Sequence, residues 1–258
     1  MQRQFSPRKS SHRFWASVFC SLLLAVPLWA QRQTLPIVLG GGGGIALGVG
    51  ASELFDGYRA ATGLRANDFD VPIVASGAVL VDFGGVRVGA AADYFRTQFL
   101  ERGSPQTAPQ RVLEERMQLD MMPVLLTVEW EPWRDQFRSY LSAAVGAAFA
   151  RFQWYESVWT DGRLERSGPN TDDHRTVPAV RIGAGTYLLF DADPAAVFRG
   201  GLVLQMHYTY SPVQLAALRR YTDGNTNATL QQWTGDIAVG GSALVLSLSV
   251  RFQIGRHQ

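Results

Sequence analysis

Apolar and polar residues alternate with a period of two near the end of the chain, and this pattern restricts the fold more than any other feature. Every even position from Leu244 to Ile254 is apolar, whereas the odd positions include Ser247, Ser249 and Arg251. Successive side chains of a β-strand point to opposite faces, so the segment predicts a strand with one apolar and one polar face. Comparable alternation predicts seven more strands, in residues 36–50, 71–82, 86–94, 115–130, 137–150, 180–190 and 198–210.

The links between these segments alternate strictly in length. Three are short (82–85, 131–135 and 191–195), and four are long (52–70, 100–114, 155–174 and 211–233). Such alternation is typical of an up-and-down outer-membrane barrel, with tight turns at one end and extended loops at the other. The sequence therefore predicts an all-β fold, an eight-stranded antiparallel up-and-down transmembrane β-barrel with both termini on the same side.

Three local features qualify this outline. Residues 53–61 of the first long loop have the composition of a short helix. Ser211 followed by Pro212 predicts a capped helix over 213–220. The alternation of the fourth strand changes phase at Met121–Met122–Pro123, which predicts a β-bulge because proline in a strand is confined to bulges and edges.

The first 30 residues have the organisation of a secretory signal. Arg3, Arg8, Lys9 and Arg13 precede an apolar run from Phe14 to Trp29, with no acidic residue in the segment. The run is short for a bilayer-spanning helix, so we expect a cleaved signal peptide rather than an uncleaved anchor, with Cys20 discarded. Residues 31–258 are then a single β-barrel domain.

Composition changes when residues 1–30 are set aside. The whole chain has 24 Lys and Arg against 22 Asp and Glu, so removing four bases leaves 20 against 22, a net charge of −2. That balance does not indicate nucleic-acid binding. The remainder has no cysteine, which excludes disulfides and thiolate metal sites, and no lysine.

Alternation alone does not distinguish a membrane barrel from a soluble lipocalin-like barrel, which stays an alternative. A membrane is favoured because the polar faces are rich in small residues and the apolar faces span about ten residues, the length of a tilted transmembrane strand. Aromatic residues also gather at both strand ends, as in interfacial girdles. Those by the short links are Phe83, Trp130, Trp133, Phe137, Phe190 and Phe252; those by the long links are Tyr94, Phe95, Trp154, Tyr155, Tyr208 and Tyr210.

The strand pattern, the long links and the terminal Ser249–Val250–Arg251–Phe252 resemble the small outer-membrane barrels: the OmpA transmembrane domain, OmpX and OmpW. The resemblance implies a location in the bacterial outer membrane, with membrane lipids as partners. It also implies that an aromatic residue of the last strand is part of the signal read by the barrel-assembly machinery. Here six residues, Gln253 to Gln258, follow the phenylalanine, so that signal is displaced.

Eight charged residues are expected to face the lumen. Charges inside a narrow barrel must be paired or hydrated, and side chains nearly fill an eight-stranded interior. We therefore expect a salt-bridge network that plugs the barrel, in preference to an anion-conducting path. The residues are Asp82, Arg87, Asp93, Glu129, Arg138, Arg181, Arg199 and Arg251.

Other candidate sites have simpler explanations. Gly40 to Gly44 could suggest a phosphate-binding loop, but the period-two pattern that follows predicts a strand instead of the required helix. His207 with Ser211 could suggest a lipid-modifying hydrolase, and His174 with Asp172 and Asp173 a metal site, but a lone histidine is usually structural. No catalytic residue, cofactor or metal is predicted.

The long links are the expected place for binding, because loops on a rigid scaffold commonly carry function. Trp159 and Trp233 are the candidate contact residues, although both could equally anchor the membrane interface. The preferred function is an outer-membrane barrel with a structural or surface-interaction role and an unidentified extracellular partner. The alternatives are a narrow channel for small solutes and a lipid-modifying enzyme.

Overall fold

The computed structural model describes residues 35–62, 69–104, 109–132, 138–190, 197–221 and 229–255; the predicted signal segment lies outside them. Eight strands form one closed antiparallel sheet in the order β1-β10-β7-β6-β5-β4-β3-β2, which confirms the predicted eight-stranded barrel. These strands are β1 (Ile37–Leu47), β2 (Ile73–Asp82), β3 (Val86–Gly103), β4 (Arg111–Trp130), β5 (Arg138–Thr160), β6 (Arg163–Leu189), β7 (Phe198–Tyr210) and β10 (Ala243–Ile254).

The period-two pattern sets which face of each strand is outside. On β10 the side chains of Leu246, Leu248 and Phe252 are exposed, whereas those of Ser247 and Arg251 are buried in the lumen. The other barrel strands follow the same rule. The polar face of the sequence pattern is therefore the interior of the barrel, and the apolar face is its outer surface.

The barrel closes between its first and last strands, where the glycine run lies. Gly42 pairs with Ser249 and Gly44 with Ser247. A Cβ atom at either glycine would overlap the backbone of β10. The run is therefore a strand whose missing side chains let the closing strand approach, and it is not a phosphate loop.

One end of the barrel, here called the turn end, is built from tight links. The turn after β2 places Gly84 at φ 82° and Gly85 at φ 107°, a region that favours glycine. Asp82 Oδ1 accepts hydrogen bonds from the backbone N–H groups of both glycines, at 2.9 and 3.2 Å. Of the other predicted short links, 133–135 and 191–195 lie outside the described residues.

At the opposite end, strands β3 to β6 continue far beyond their neighbours. They contain 18, 20, 23 and 27 residues, against 10 to 13 in the other barrel strands. The predictions that 100–114 and 155–174 are loops were wrong over most of their length. Polar outward residues made these segments resemble loops, but their inward positions carry packed apolar side chains such as Leu113 and Val158.

The predicted helix over 213–220 was also wrong. Residues Val213–Tyr221 form β8, which pairs antiparallel with β9 (Thr229–Gly240) in a separate two-stranded sheet. Val213 and Leu215 are buried while Gln214 is exposed, so burial has a period of two and tertiary pairing overrides the Ser-Pro signal.

The predicted bulge at Met121–Met122–Pro123 is absent from the register. Met121 pairs with Ala150, Met122 with Phe149 and Pro123 with Ala148, without a shift. Instead, the chemistry of the inner face changes along β4. Its inward residues are polar at Thr127 and Glu129 but apolar from Leu125 to Met117, which produced the apparent change of phase.

The predicted helix near 53–61 is confirmed as α1 (Ser52–Thr62). Leu54, Phe55 and Tyr58 are buried in one apolar cluster with residues of β3, β4, β5 and β8. Helix α1 is too short and too polar to span a bilayer, and no other helix occurs in the described ranges. We call the head the unit formed by α1, β8, β9 and the strand extensions 96–103, 111–120, 151–160 and 163–174.

Candidate functional site

The lumen near the turn end holds a continuous network of buried charges. Arg251 Nη1 donates to both carboxylate oxygens of Glu129, at 2.8 and 2.7 Å. Nη1 of Arg87 lies 3.6 Å from Glu129 Oε2. Arg87 also pairs with Asp82 at 3.4 Å and with Glu131. Every one of these side chains is more than nine-tenths buried, so each charge is compensated by a partner.

Two tyrosines connect these ion pairs. The hydroxyl of Tyr187 accepts a hydrogen bond from Arg87 Nη1 at 2.7 Å and donates one to Glu129 Oε2 at 3.2 Å. The hydroxyl of Tyr140 donates a hydrogen bond to Gln205 Oε1 at 3.0 Å and accepts one from Arg251 Nη2 at 3.2 Å. The network connects all the strands from β2 through β7, and also the closing strand β10, across the lumen. It therefore stabilises the ring as one unit.

The remaining predicted lumen residues fall at two depths. Arg138 lies 3.6 Å from Glu131, and Arg199 is buried at the turn end. Further towards the head, Arg181 pairs with Asp93 and donates through Nε to Thr209 Oγ1 at 3.1 Å. All eight predicted charges thus face the interior. Sequence reasoning missed Tyr140, Tyr187, Gln205 and Glu131; the first three also lie on the inward phase of their strands.

His207 belongs to this second layer. Its Nε2 lies 3.2 Å from Asp93 Oδ2, the carboxylate that also binds Arg181. Ser211 instead donates its hydroxyl to the backbone oxygen of Gly241 at 2.9 Å, and Tyr208 faces outward. The structure does not bring His207 and Ser211 together as a base and a nucleophile.

Between the two charged layers lies a polar cavity of about 40 Å³. Asp93, Thr127, Glu129, Arg181 and Ser249 are among the residues that line it. A second cavity of about 20 Å³ lies by Arg87 and Arg199. A water molecule needs about 10–15 Å³ of such cavity volume, so each cavity has room for only a few waters.

Above the second layer the lumen is apolar. The inward side chains of Val74, Phe95, Leu119, Met121 and Val245 are almost fully buried in one cluster that continues into the head. The interior therefore changes from ion pairs at the turn end to an apolar core beneath the head.

Two aromatic residues expected in the outer girdle lie in this core instead. Phe95 and Trp154 point inward and are 2% and 1% exposed. Adjacent strand residues face opposite sides, so only Tyr94 and Tyr155 of these two pairs point outward. Trp154 donates its indole N–H to Glu115 Oε2 at 2.7 Å, which satisfies the polar atom of a buried ring.

The two candidate contact tryptophans are on strands and not in loops. Trp159 lies near the tip of the β5–β6 hairpin and donates to Glu114 Oε2 at 3.3 Å. Trp233 lies on β9 opposite Leu218, and its side chain is outside the described part of the structure. Trp133 and Phe137, expected in the girdle at the turn end, also lie outside the described residues.

Charged side chains line the outward face of the head. Arg96 pairs with Asp120 at 2.5 Å, and Arg151 binds Asp172 through two hydrogen bonds of 2.9 and 2.7 Å. These bonds from Arg151 lower the pKa of Asp172, so it stays ionised at neutral pH and the pair weakens only under acid conditions. Asp173 is bound by Arg175, and no metal-binding cluster with His174 occurs among the described residues.

The outer surface below the head is an apolar band with aromatic ends. Leu126, Val145, Ile182 and Leu204 are each more than half exposed on its middle. Exposed aromatics at the turn end are Phe83, Trp130, Phe190, Phe198 and Phe252; those at the head end are Tyr94, Tyr208 and Tyr210.

No known protein family and no curated protein matches the sequence. Among solved structures, it is similar to Neisserial surface protein A, with 10% identity, a TM-score of 0.38, and coverage of 84% of this chain and 95% of that one. It is also similar to Ail, the attachment invasion locus protein of Yersinia pestis, solved with the heparin analogue sucrose octasulfate. There the identity is 9%, the TM-score 0.36, and the coverage 85% of this chain and 99% of that one.

Proposed function

We propose that this chain is a bacterial outer-membrane β-barrel with a structural or surface-interaction role. The apolar band crosses the lipid, the turn end faces the periplasm, and the head projects outside the cell. The sealed barrel serves as a rigid anchor for the head, which contacts an extracellular partner or stabilises the envelope. Phe252, on the outward face of the last strand and stacked on Phe198 at 5.3 Å, is our candidate for the aromatic of the assembly signal.

This proposal rests on the polarity of the barrel, which has charged residues inside and apolar residues outside, the reverse of a soluble protein. Seven of the predicted lumen charges are buried inside, whereas Leu126, Leu204 and Leu248 are 58%, 60% and 54% exposed outside. Burial of apolar surface is the main force that drives folding in water, at about 25 cal/mol per Å². A soluble barrel would turn these leucines inward, so hydrocarbon is the solvent that fits the outer surface.

The interior supports an anchor rather than a channel. Two layers of ion pairs lie in the lower lumen with an apolar core above them, and the polar cavities there measure only about 40 and 20 Å³. A channel for small solutes remains the second candidate because the lower lumen is polar. We expect no stepwise ion conductance from the protein in planar bilayers; discrete conductance steps would favour the channel.

A lipid-modifying enzyme is disfavoured by the arrangement around His207. Its partners are lumen residues, and it lies on the inward face, away from lipid. Replacing His207 with Ala is expected to leave the lipid A of the host cell unchanged. A change in its acylation would restore the enzymatic alternative.

The proposal is tested by fractionation and gel mobility. A folded barrel in the outer-membrane fraction should migrate differently before and after boiling. Leu126→Arg places a charge on the apolar band and should destabilise the inserted protein by about 2–4 kcal/mol, as arginine does near the bilayer midplane. Gln98→Arg, on the outward face of the head, is the matched control and should have no such effect.

The opposite outcome is equally clear. A soluble periplasmic protein without a mobility shift, in which Leu126→Arg is as harmless as Gln98→Arg, would show that water covers the band. The lipocalin-like alternative would then replace the membrane barrel.

A further inference from the structure

A row of charged side chains crosses the outward face of four adjacent strands where the apolar band ends. The register pairs Arg96 with Asp120, Asp120 with Arg151, and Arg151 with His174. Two positions closer to the barrel on the same face, the residues are Tyr94, Met122, Phe149 and Thr176. We call Arg96, Asp120, Arg151, Asp172 and His174 the charged row.

The carboxylates of the row hold its guanidinium groups in place. Asp120 accepts from Arg96 Nε at 2.5 Å and from the hydroxyl of Tyr94 at 3.1 Å. The side chain of Arg96 is 52% exposed, so its guanidinium group stays open to solvent. Arg151 is 36% exposed and His174 69%. The row therefore holds two guanidinium groups whose direction is fixed by carboxylates and which remain partly exposed to solvent.

The row is confined to one side and one end of the barrel. At the head end, the outward face of the other four strands carries Tyr210, Leu244, Leu47 and Ile73. Among the described residues, the outward positions at the turn end carry aromatic, aliphatic and small uncharged side chains. Among the barrel strands, the charged outward positions at this level therefore lie on β3 to β6.

We propose that the charged row binds phosphate groups of lipid headgroups in the leaflet that surrounds the head, with Arg96 and Arg151 as the phosphate ligands. This inference rests on the proposed membrane location, which puts the row where hydrocarbon gives way to headgroups. Guanidinium groups match phosphate oxygens in geometry and charge, and such hydrogen bonds are the strong ones. Asp120 and Asp172 act as positioning residues that fix the direction of the two guanidinium groups.

The test uses the full chain, folded in detergent, and counts lipid adducts by native mass spectrometry. The probes are phosphatidic acid, which exposes a phosphomonoester, and phosphatidylcholine, which is neutral overall. The wild type should bind phosphatidic acid preferentially. Arg96→Gln with Arg151→Gln should weaken that binding about tenfold or more, since two charged hydrogen-bond donors are lost.

The matched control is Arg102→Gln with Arg163→Gln, which removes the same charge from the head away from the row and should leave binding unchanged. Equal loss in both variants, or no loss in either, would overturn the proposal. If the double variant does not fold, each single variant should weaken binding, and wild-type affinity in both would overturn it. Displacement of the lipid by equimolar inorganic phosphate would also overturn it, because the site would then bind a soluble anion.

The proposed phosphate binding can fail independently of the proposed membrane location. A chain that shows no boiling-dependent shift and does not insert into vesicles contradicts the proposed function. A chain that inserts normally but does not prefer phosphatidic acid contradicts only the role of the charged row.

Discussion

Single residues in the lumen have large effects on stability because their charges are buried in pairs. Arg251 illustrates this, since it contacts Glu129, Tyr187, Tyr140 and Gln205 from the last strand of the barrel. Removing one member of a buried pair leaves the other charge without compensation, which costs far more than breaking an exposed pair.

Replacing Arg251 with Met is therefore expected to destabilise the folded barrel by about 3–5 kcal/mol. The measurement is urea unfolding of the protein in vesicles, followed by the gel mobility shift. Arg102→Met is the control, because Arg102 and Glu114 form an exposed pair whose loss should cost no more than about 1 kcal/mol. Equal effects of the two changes would contradict the buried network.

Gly185 is a second sensitive position. A Cβ atom there would lie 2.5 Å from the ring of Tyr140, which would have to leave Gln205 and Arg251. Gly185→Ala is expected to cost about 1–3 kcal/mol in the same unfolding measurement. Gly41→Ala, whose Cβ would meet nothing nearer than 3.9 Å, should leave stability unchanged. If Gly185→Ala were as harmless as Gly41→Ala, Tyr140 would not be fixed by the network.

A period of two in the sequence predicts the face on which each charge lies, but not the partner of that charge. Period-two alternation placed Arg87, Arg181 and Arg251 in the lumen, because strand geometry alone sets the face. It did not identify Tyr187 or Glu131 as partners. Those contacts connect residues 44 or more positions apart, and they depend on how the closed ring brings distant strands together.

At the scale of elements, the head is the feature that the sequence described least accurately. The helix α1 was predicted, but two of the four long links proved to be largely strand extensions, and β8 was taken for a helix. Polar outward residues and a Ser-Pro pair are local signals, whereas the apolar inner face is stabilised by packing against α1 and β8. The head is thus a folded unit and not a set of independent loops.

Phe55 tests whether α1 secures this unit. Its ring packs against Phe69 and Phe99, with centroids 5.1 Å away in each case. Phe55→Ala should loosen the head by about 3–5 kcal/mol and expose it to trypsin, for instance at Arg59, while the mobility shift of the barrel persists. Asp56→Ala, on the exposed side of α1, should leave the protease resistance unchanged. Equal resistance of both variants would mean that α1 does not support the head.

At the scale of the whole molecule, the described residues form a barrel with a charged lower lumen, an apolar upper core and the head at one end. The closed eight-stranded ring was predictable because a period of two and an alternation of link lengths constrain every strand at once. The packing of the head was not predictable, because it depends on contacts between residues far apart in sequence.

The proposed membrane location is tested most directly by determining which solvent, hydrocarbon or water, surrounds the apolar band. The only cysteine, Cys20, lies in the predicted signal segment, so Leu204→Cys and Leu248→Cys each provide a single site for a spin label. We expect both labels in vesicles to collide often with oxygen and rarely with a water-soluble nickel complex. A label at Arg102→Cys in the head should show the reverse. If the nickel complex reaches Leu204 and Leu248 as freely as Arg102, water covers the band and the protein does not cross a membrane.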